Sequence, residues 1–311
     1  MGVARHESDM DMRIEFPDLK GKEKKTLFII GNGFDLYHGI PSQYRHFRSW
    51  LEENRHENFV DEMEDIFPKL NECKKGLWNN FENALQDYDL ECLYKTLHTE
   101  NHDQWTPDIW KQTAERLEMT TGKIRPLMKE WAKSIDIKKI CSDSNLMLRE
   151  ESLYLTFNYT KIVEEFYHIP NGRICHIHGS IDDNDVITGH IRWQRPDDYR
   201  AQKDEKEVVC RECLRVLNKL NKDTEKQINK HIDFFTLIKD VTCVVVLGHS
   251  MGGIDMAYFR EVLNRVRQEC HWHFSKHDVE DDKMIQLFIK SSQENCSKNK
   301  IQTTNSWIFN F

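Results

Sequence analysis

The 311-residue chain lacks what several protein classes require. No apolar run approaches the roughly 20 residues of a membrane-crossing helix; the most apolar stretches are residues 26–30 and 241–247. No apolar signal core opens the chain, which predicts a cytoplasmic protein with no membrane partner. There is no basic excess. The 44 Lys plus Arg stand against 52 Asp plus Glu, a net charge of −8. Neutralising phosphates needs a basic face, so nucleic acid is not expected as the main partner. The nine Cys are scattered, and Cys210 and Cys213 form one C-x-x-C without a second pair at zinc spacing. No metal is therefore expected, and the thiols read as reduced. Aromatic residues are not scarce: 8 Trp, 9 Tyr and 16 Phe argue for a packed core against long disorder.

Residues 1–25 are polar and read as a loose tail before a single domain over 26–311. Thr26-Leu-Phe-Ile-Ile30 reads as a short buried strand running into Gly31-Asn32-Gly33-Phe34-Asp35. A strand, a glycine-rich turn and a helix make the first βα unit of a nucleotide-binding sheet. That helix is expected from Ser42, with Tyr44, Phe47 and Leu51 on one face. Residues 57–148 read as helical throughout, with Trp78, Phe81 and Leu85 at helical spacing. Residues 195–238 form a second, highly charged helical excursion. Further strands are expected at 153–157, 173–178, 241–247, 271–274 and 306–309, with helices through Val163, Phe166 and Tyr167, over 255–267 and near 283–290. Strands alternating with helices predict an α/β fold with a doubly wound, Rossmann-like parallel sheet carrying a large α-helical insertion.

Four expected strand ends carry polar residues: residues 31–35, Asn158-Tyr159, His176-Ile-His178-Gly179 and Gly248-His249-Ser250. Ligands of open parallel sheets bind at the carboxyl ends of the strands, so the four clusters can converge on one crevice. Gly31 and Gly33 would admit a phosphate close to the backbone, although G-x-G-x-x-G is incomplete. A plain tight turn explains the pair equally well. His176 and His178 alternate on a strand and should face opposite sides, with His178 the exposed one because Gly179 ends the strand. Asn158 is either a site residue or a turn former. Gly248-His-Ser250-Met-Gly252 fits the nucleophile elbow G-x-S-x-G, but no Asp-then-His pair with suitable separation follows Ser250. Serine hydrolysis is thus a minor reading.

These motifs, together with Trp78-x-x-Phe81-Glu82 and the run from Gly248 through Asp255 to Tyr258-Phe259, resemble the bacteriophage abortive-infection AbiH family. More distantly, the loop ending Gly39-Ile-Pro41, Asn158, His178-Gly179 and Gly248-His249-Ser250 resemble sirtuins and sirtuin-like NAD-hydrolysing defence proteins. The resemblance implies a sirtuin-like fold and an antiphage effector that cleaves the N-glycosidic bond of NAD or a related nucleotide, an NAD(P) glycohydrolase with no other cofactor. It implies His178 as general base, Asn158 as the group orienting ribose or water, and Asp35 at a ribose hydroxyl or the anomeric carbon. Gly31, Asn32, Gly33, Phe34, Asp35, Tyr159, Gly248, His249 and Ser250 would bind the nucleotide. A non-catalytic nucleotide sensor of the same fold is the alternative. A phage component or partner protein as trigger, and a homo-oligomer, fit such an effector. Asn32 and Asp35 depart from the sirtuin-like loop, which leaves the nucleotide open. Lysine deacylation is not expected, because only Cys210 and Cys213 stand where the deacetylases carry four zinc cysteines.

Overall fold

The computed structural model describes residues 26–72, 78–85, 107–140, 146, 148–184, 186–190, 205–267, 270–276, 279–295 and 304–308. The expected tail over 1–25 lies outside the described residues.

The fold is mixed α/β around an all-parallel six-stranded sheet. The strands are β1 (Thr26–Ile30), β2 (Leu153–Thr156), β3 (Ile174–His176), β4 (Cys243–Leu247), β5 (His271–Lys276) and β6 (Thr304–Ile308). Their spatial order is β3-β2-β1-β4-β5-β6. The chain therefore winds one way from β1 through β2 to β3, then returns past β1 to build the other half. The winding reverses between β1 and β4, where Ile30 pairs with Leu247.

β1, β2 and β4 are apolar without alternation because both sheet faces are covered. Leu27, Ile29, Leu155, Val244 and Val246 point to one face and pack with Phe235, Phe259 and Val262 from helices Ile232–Leu237 and Met256–Arg265. Phe28, Ile30, Tyr154, Val245 and Leu247 point to the other and pack with Phe34, Ile162 and Val163. Phe28 and Tyr154 stack across β1 and β2 with ring centroids 5.2 Å apart. A third apolar cluster stands apart from the sheet. It joins Phe47, Met63, Trp78, Leu117 and Met128 from the segment between β1 and β2 to Cys213, Val216 and Leu217 from the segment between β3 and β4. The two helical excursions thus share one core, with helix Pro107–Thr121 lying along helix Glu205–Asn218.

Several local expectations are corrected. The first helix starts at Asn32, directly after β1, and ends at Tyr37; the helix expected from Ser42 is a second one, Tyr44–Glu53. Trp78 is buried but sits outside a helix, at φ 64°, and the helix after it is only Phe81–Ala84. Helix Ile162–Glu165 stops before Phe166 and Tyr167. β3 ends at His176, so His178 is not on a strand. The strand breaks because Gly179 at φ +80° turns the chain, and Ile187 N donates to His178 O at 2.7 Å. Cys213 is buried in the helical core, and the side chain of Cys210 lies outside the described residues.

Candidate active site

A cavity of about 390 Å³ opens at the carboxyl end of the sheet, at the β1/β4 reversal. That is a ligand-sized volume at the place where open α/β sheets bind ligands. Five strands reach it: β1 through Asn32 and Gly33, β2 through Asn158 and Tyr159, β3 through His178, β4 through Gly248, His249 and Ser250, and β5 through Ser275. The convergence expected of four polar strand ends is present. Tyr44 and, from the helical excursions, Glu82, Trp131 and Lys222 complete the lining.

The glycines at the reversal serve an approach of backbone to backbone. Gly31 N donates to Leu247 O at 2.9 Å, and Gly33 N to Gly248 O at 2.7 Å. A Cβ on Gly31 would stand 2.6 Å from Gly248 O, and one on Gly33 2.8 Å from Gly248 Cα. Gly248 itself lies at φ +61°, a conformation that favours glycine. The β1 and β4 turns thus interlock. The donors expected to cradle a phosphate are already engaged, with Phe34 N also spent on Gly31 O at 3.0 Å.

Asp35 is fully buried behind the cavity wall and does not line it; neither do Gly31 and Phe34. Asp35 Oδ1 accepts from Asn158 Nδ2 at 2.7 Å, and its Oδ2 from Thr160 Oγ1 at 2.7 Å. Asn158 Nδ2 also donates to Gly31 O at 3.0 Å. Both partners of that nitrogen are acceptors, which fixes the amide orientation and leaves the Asn158 carbonyl oxygen as the group available to the cavity. Burial pushes the Asp35 carboxyl up to about 6, and the neutral donors Thr160, Asn158 and Ser42 only partly offset it. Asp35 therefore holds Asn158 in place from behind the cavity wall. His176, part-buried, does not line the cavity; its Nδ1 hydrogen-bonds the Asn158 backbone O at 3.0 Å and its Nε2 meets Glu164 at 2.6 Å.

His178 was expected to be exposed and is instead 4% exposed, forming part of the cavity wall. The Phe157 ring packs edge-on against His178 at 5.0 Å and against His249 at 4.4 Å, setting both imidazoles. One ring nitrogen of His178 hydrogen-bonds the Phe157 backbone, while Nε2 is buried without a hydrogen-bond partner. Burial first, then the Lys222 charge, holds His178 well below the usual imidazole range, so the ring is neutral. A neutral ring nitrogen with no donor beside it is a proton acceptor.

The residue behind both histidines is Asp255. Its Oδ1 lies 3.5 Å from His178 Nε2 and 2.9 Å from Lys222 Nζ, and its Oδ2 lies 3.5 Å from His249 Nε2. His249 Nδ1 accepts from Met251 N at 2.8 Å, so Nε2 carries its proton toward Asp255. Lys222 also reaches Glu82 Oε1 and Oε2 at 3.1 and 3.2 Å. Burial alone would raise the Asp255 carboxyl; the Lys222 charge first, then the His249 hydrogen bond, outweighs it and keeps the group ionised. The sequence reading named Asp255 and Glu82 only within motifs and missed Lys222. A lysine in a charged helical stretch carries no signal that it will be buried.

No hydrogen bond joins Ser250 Oγ to a histidine among the described residues. Both nitrogens of His249 are committed, and His178 is turned toward Asp255. The elbow motif is thus present without an assembled triad. No group of three metal-ligating side chains, and no helix long and apolar enough to cross a membrane, occurs among the described residues.

A family model described as bacteriophage abortive infection AbiH matches residues 27–276, and the chain belongs to that family. No curated protein and no solved structure matches it significantly.

Proposed function

We propose that this AbiH-family chain is an abortive-infection effector that hydrolyses the N-glycosidic bond of NAD or a related nucleotide. The observation carrying the reading is His178 Nε2, a neutral buried acceptor in the cavity wall with no hydrogen-bond donor of its own. Asp255 Oδ1 faces it at 3.5 Å and is itself engaged by Lys222 Nζ at 2.9 Å. The Nε2 acceptor calls for a donor, which a water or a ribose hydroxyl supplies. Glycosidic cleavage of a pyridinium nucleotide needs little more. The bond from C1′ to the ring nitrogen breaks with its electron pair leaving on nicotinamide, a water oxygen bonds C1′, and the water proton passes to His178 Nε2. The ionised Asp255 steadies the developing positive charge, and the Asn158 carbonyl orients the sugar or the water.

The strand order β3-β2-β1-β4-β5-β6 supports the reading, because it is the order of Rossmann-type dinucleotide folds, with the ligand at the reversal. The reading rests on the glycosidic end of the nucleotide. The N–H groups of Gly31 and Gly33 are engaged, so the diphosphate is not assigned to them.

The test is incubation of protein, purified from resting and from phage-challenged cells, with NAD, NADP and ATP, with the products resolved. Free nicotinamide and an ADP-ribose product support the reading. A nucleotide retained intact points to a sensor. Steady levels of every nucleotide in challenged cells, with toxicity that survives Asn158→Ala, overturn it.

A further inference from the structure

The position of Lys222 is expensive to build and is built with care. It belongs to the second helical excursion, yet its ammonium is buried between two carboxylates of the cavity wall. Its backbone is pinned by a bridge to residues 189–190. Lys222 N donates to His190 O at 2.8 Å, and His190 N donates to Leu220 O at 3.2 Å. Gly189 makes this approach feasible: a Cβ there would stand 1.7 Å from Leu220 O, and its φ is +142°. Glu82, the other partner, is held from the same side by a hydrogen bond from the Gly189 backbone and by Thr188 Oγ1 at 3.3 Å. Three segments distant in sequence thus converge to place one cation. A buried ion pair assembled this way contributes little net stability over an apolar replacement, so stability alone does not account for it.

We propose that Lys222 is a positioning residue that keeps His178 in its proton-accepting form by engaging the Asp255 oxygen that would otherwise hold a proton on the His178 ring. The inference rests on the reading of His178 as the base. Asp255 Oδ1 stands between Lys222 Nζ at 2.9 Å and His178 Nε2 at 3.5 Å, so the two compete for one oxygen. The lysine is closer and carries a permanent charge, since Glu82 and Asp255 outweigh its burial and hold its proton on. The charged and titratable groups facing His178 are Lys222, Asp255 and His249, with the Tyr258 ring at 5.6 Å. His249 cannot replace the lysine, because its Nε2 serves the other oxygen, Oδ2. Without Lys222, the Asp255 carboxylate would face an imidazole with no other cation beside it, and an imidazolium–carboxylate pair would form. His178 would then arrive at the reaction already protonated and unable to accept a proton from water.

The test is ring-nitrogen NMR of protein labelled with 15N-histidine, with His178 assigned by difference from His178→Gln, in the wild type, in Lys222→Met and in the charge-balanced double variant Glu82→Gln/Lys222→Met. The double variant removes one positive and one negative group together, so it keeps the test open where the single variant does not fold. The wild type is expected to show a neutral His178 ring at about pH 6, and the folded variants a protonated one, with proton affinity raised about tenfold or more. A His178 ring still neutral at about pH 6 in the folded double variant overturns the inference. The readout needs no substrate. A protonated ring in a protein that hydrolyses no nucleotide rejects the glycohydrolase reading and leaves the Lys222 role standing. Hydrolysis with an unmoved ring does the reverse.

Discussion

The two sides of the cavity each bury an aspartate, and the two behave oppositely. On the β1–β2 side, Asp35 is enclosed by neutral donors, Asn158 and Thr160, and burial pushes its carboxyl up to about 6. On the β4 side, Asp255 is part-buried in the cavity wall, 15% exposed, with Lys222 at 2.9 Å, and it is held ionised. Hydrogen bonds from neutral groups only partly replace lost water, whereas an adjacent cation more than replaces it. The sheet side therefore acts as a scaffold that fixes the Asn158 amide. The side completed by the helical excursions holds the charges that determine what His178 can do.

The sharpest way to break this comparison is at His178. His178→Ala should lower nucleotide turnover about 10²- to 10⁴-fold while leaving the circular dichroism spectrum unchanged. Turnover at the wild-type rate would remove His178 as the base and leave the charged side without a task.

Next in size is the effect of the cation on stability. Lys222→Ala leaves Glu82 and Asp255 part-buried without their cation, and thermal unfolding should register a loss of about 3 kcal/mol, the low end for a broken buried pair. Glu82→Gln/Lys222→Met should lose clearly less. Equal losses in the two variants would show that packing, and not charge, sets the cost.

The neutral side makes a prediction about pH. An unfolded Asp releases its proton near 3.8, while folded Asp35 holds it to about 6. Between these values the folded state binds the extra proton, so rising pH weakens the fold. His38, hydrogen-bonded to Phe34 O and Tyr167, is lowered by burial from 6.5 to about 4. There the unfolded state binds the extra proton, so rising pH strengthens the fold. The two slopes oppose each other between about pH 4 and pH 6. Asp35→Asn removes the falling one, so denaturant titrations should show its stability relative to the wild type climbing by about 1 kcal/mol per pH unit across that window. A flat difference would mean that Asp35 is ionised throughout and that the two aspartates are alike.

The smallest effect is expected at Ser250, which is exposed at the mouth of the cavity with no hydrogen bond to a histidine. Ser250→Ala should change turnover by less than about tenfold, where loss of a nucleophile costs orders of magnitude. Covalent labelling of Ser250 by a fluorophosphonate would contradict this.

The sequence by itself was enough for the sheet side. A buried parallel strand is a short apolar run, and its carboxyl end is the polar residue that follows, so residues 26–30 with Asn32, 153–157 with Asn158 and 241–247 with His249 could be read locally, to within two residues of β1, β2 and β4. Both aspartates were visible as residues, but not their opposite states, since the same side chain is raised or lowered by what surrounds it. The close approach that Gly31 and Gly33 permit was not legible, because the backbone they approach, at Gly248, is more than 200 residues away in sequence. His178 was expected on a strand that in fact ends two residues earlier, because Gly179 and the Ile187 hydrogen bond turn the chain. Glu82, Lys222 and Asp255 lie on three separated segments, and no periodicity or spacing connects them. Tertiary structure alone decided that they meet. The two helical excursions fold onto one apolar core and carry Glu82 and Lys222 to the sheet ends, so the charge that governs His178 comes from packing and from no motif.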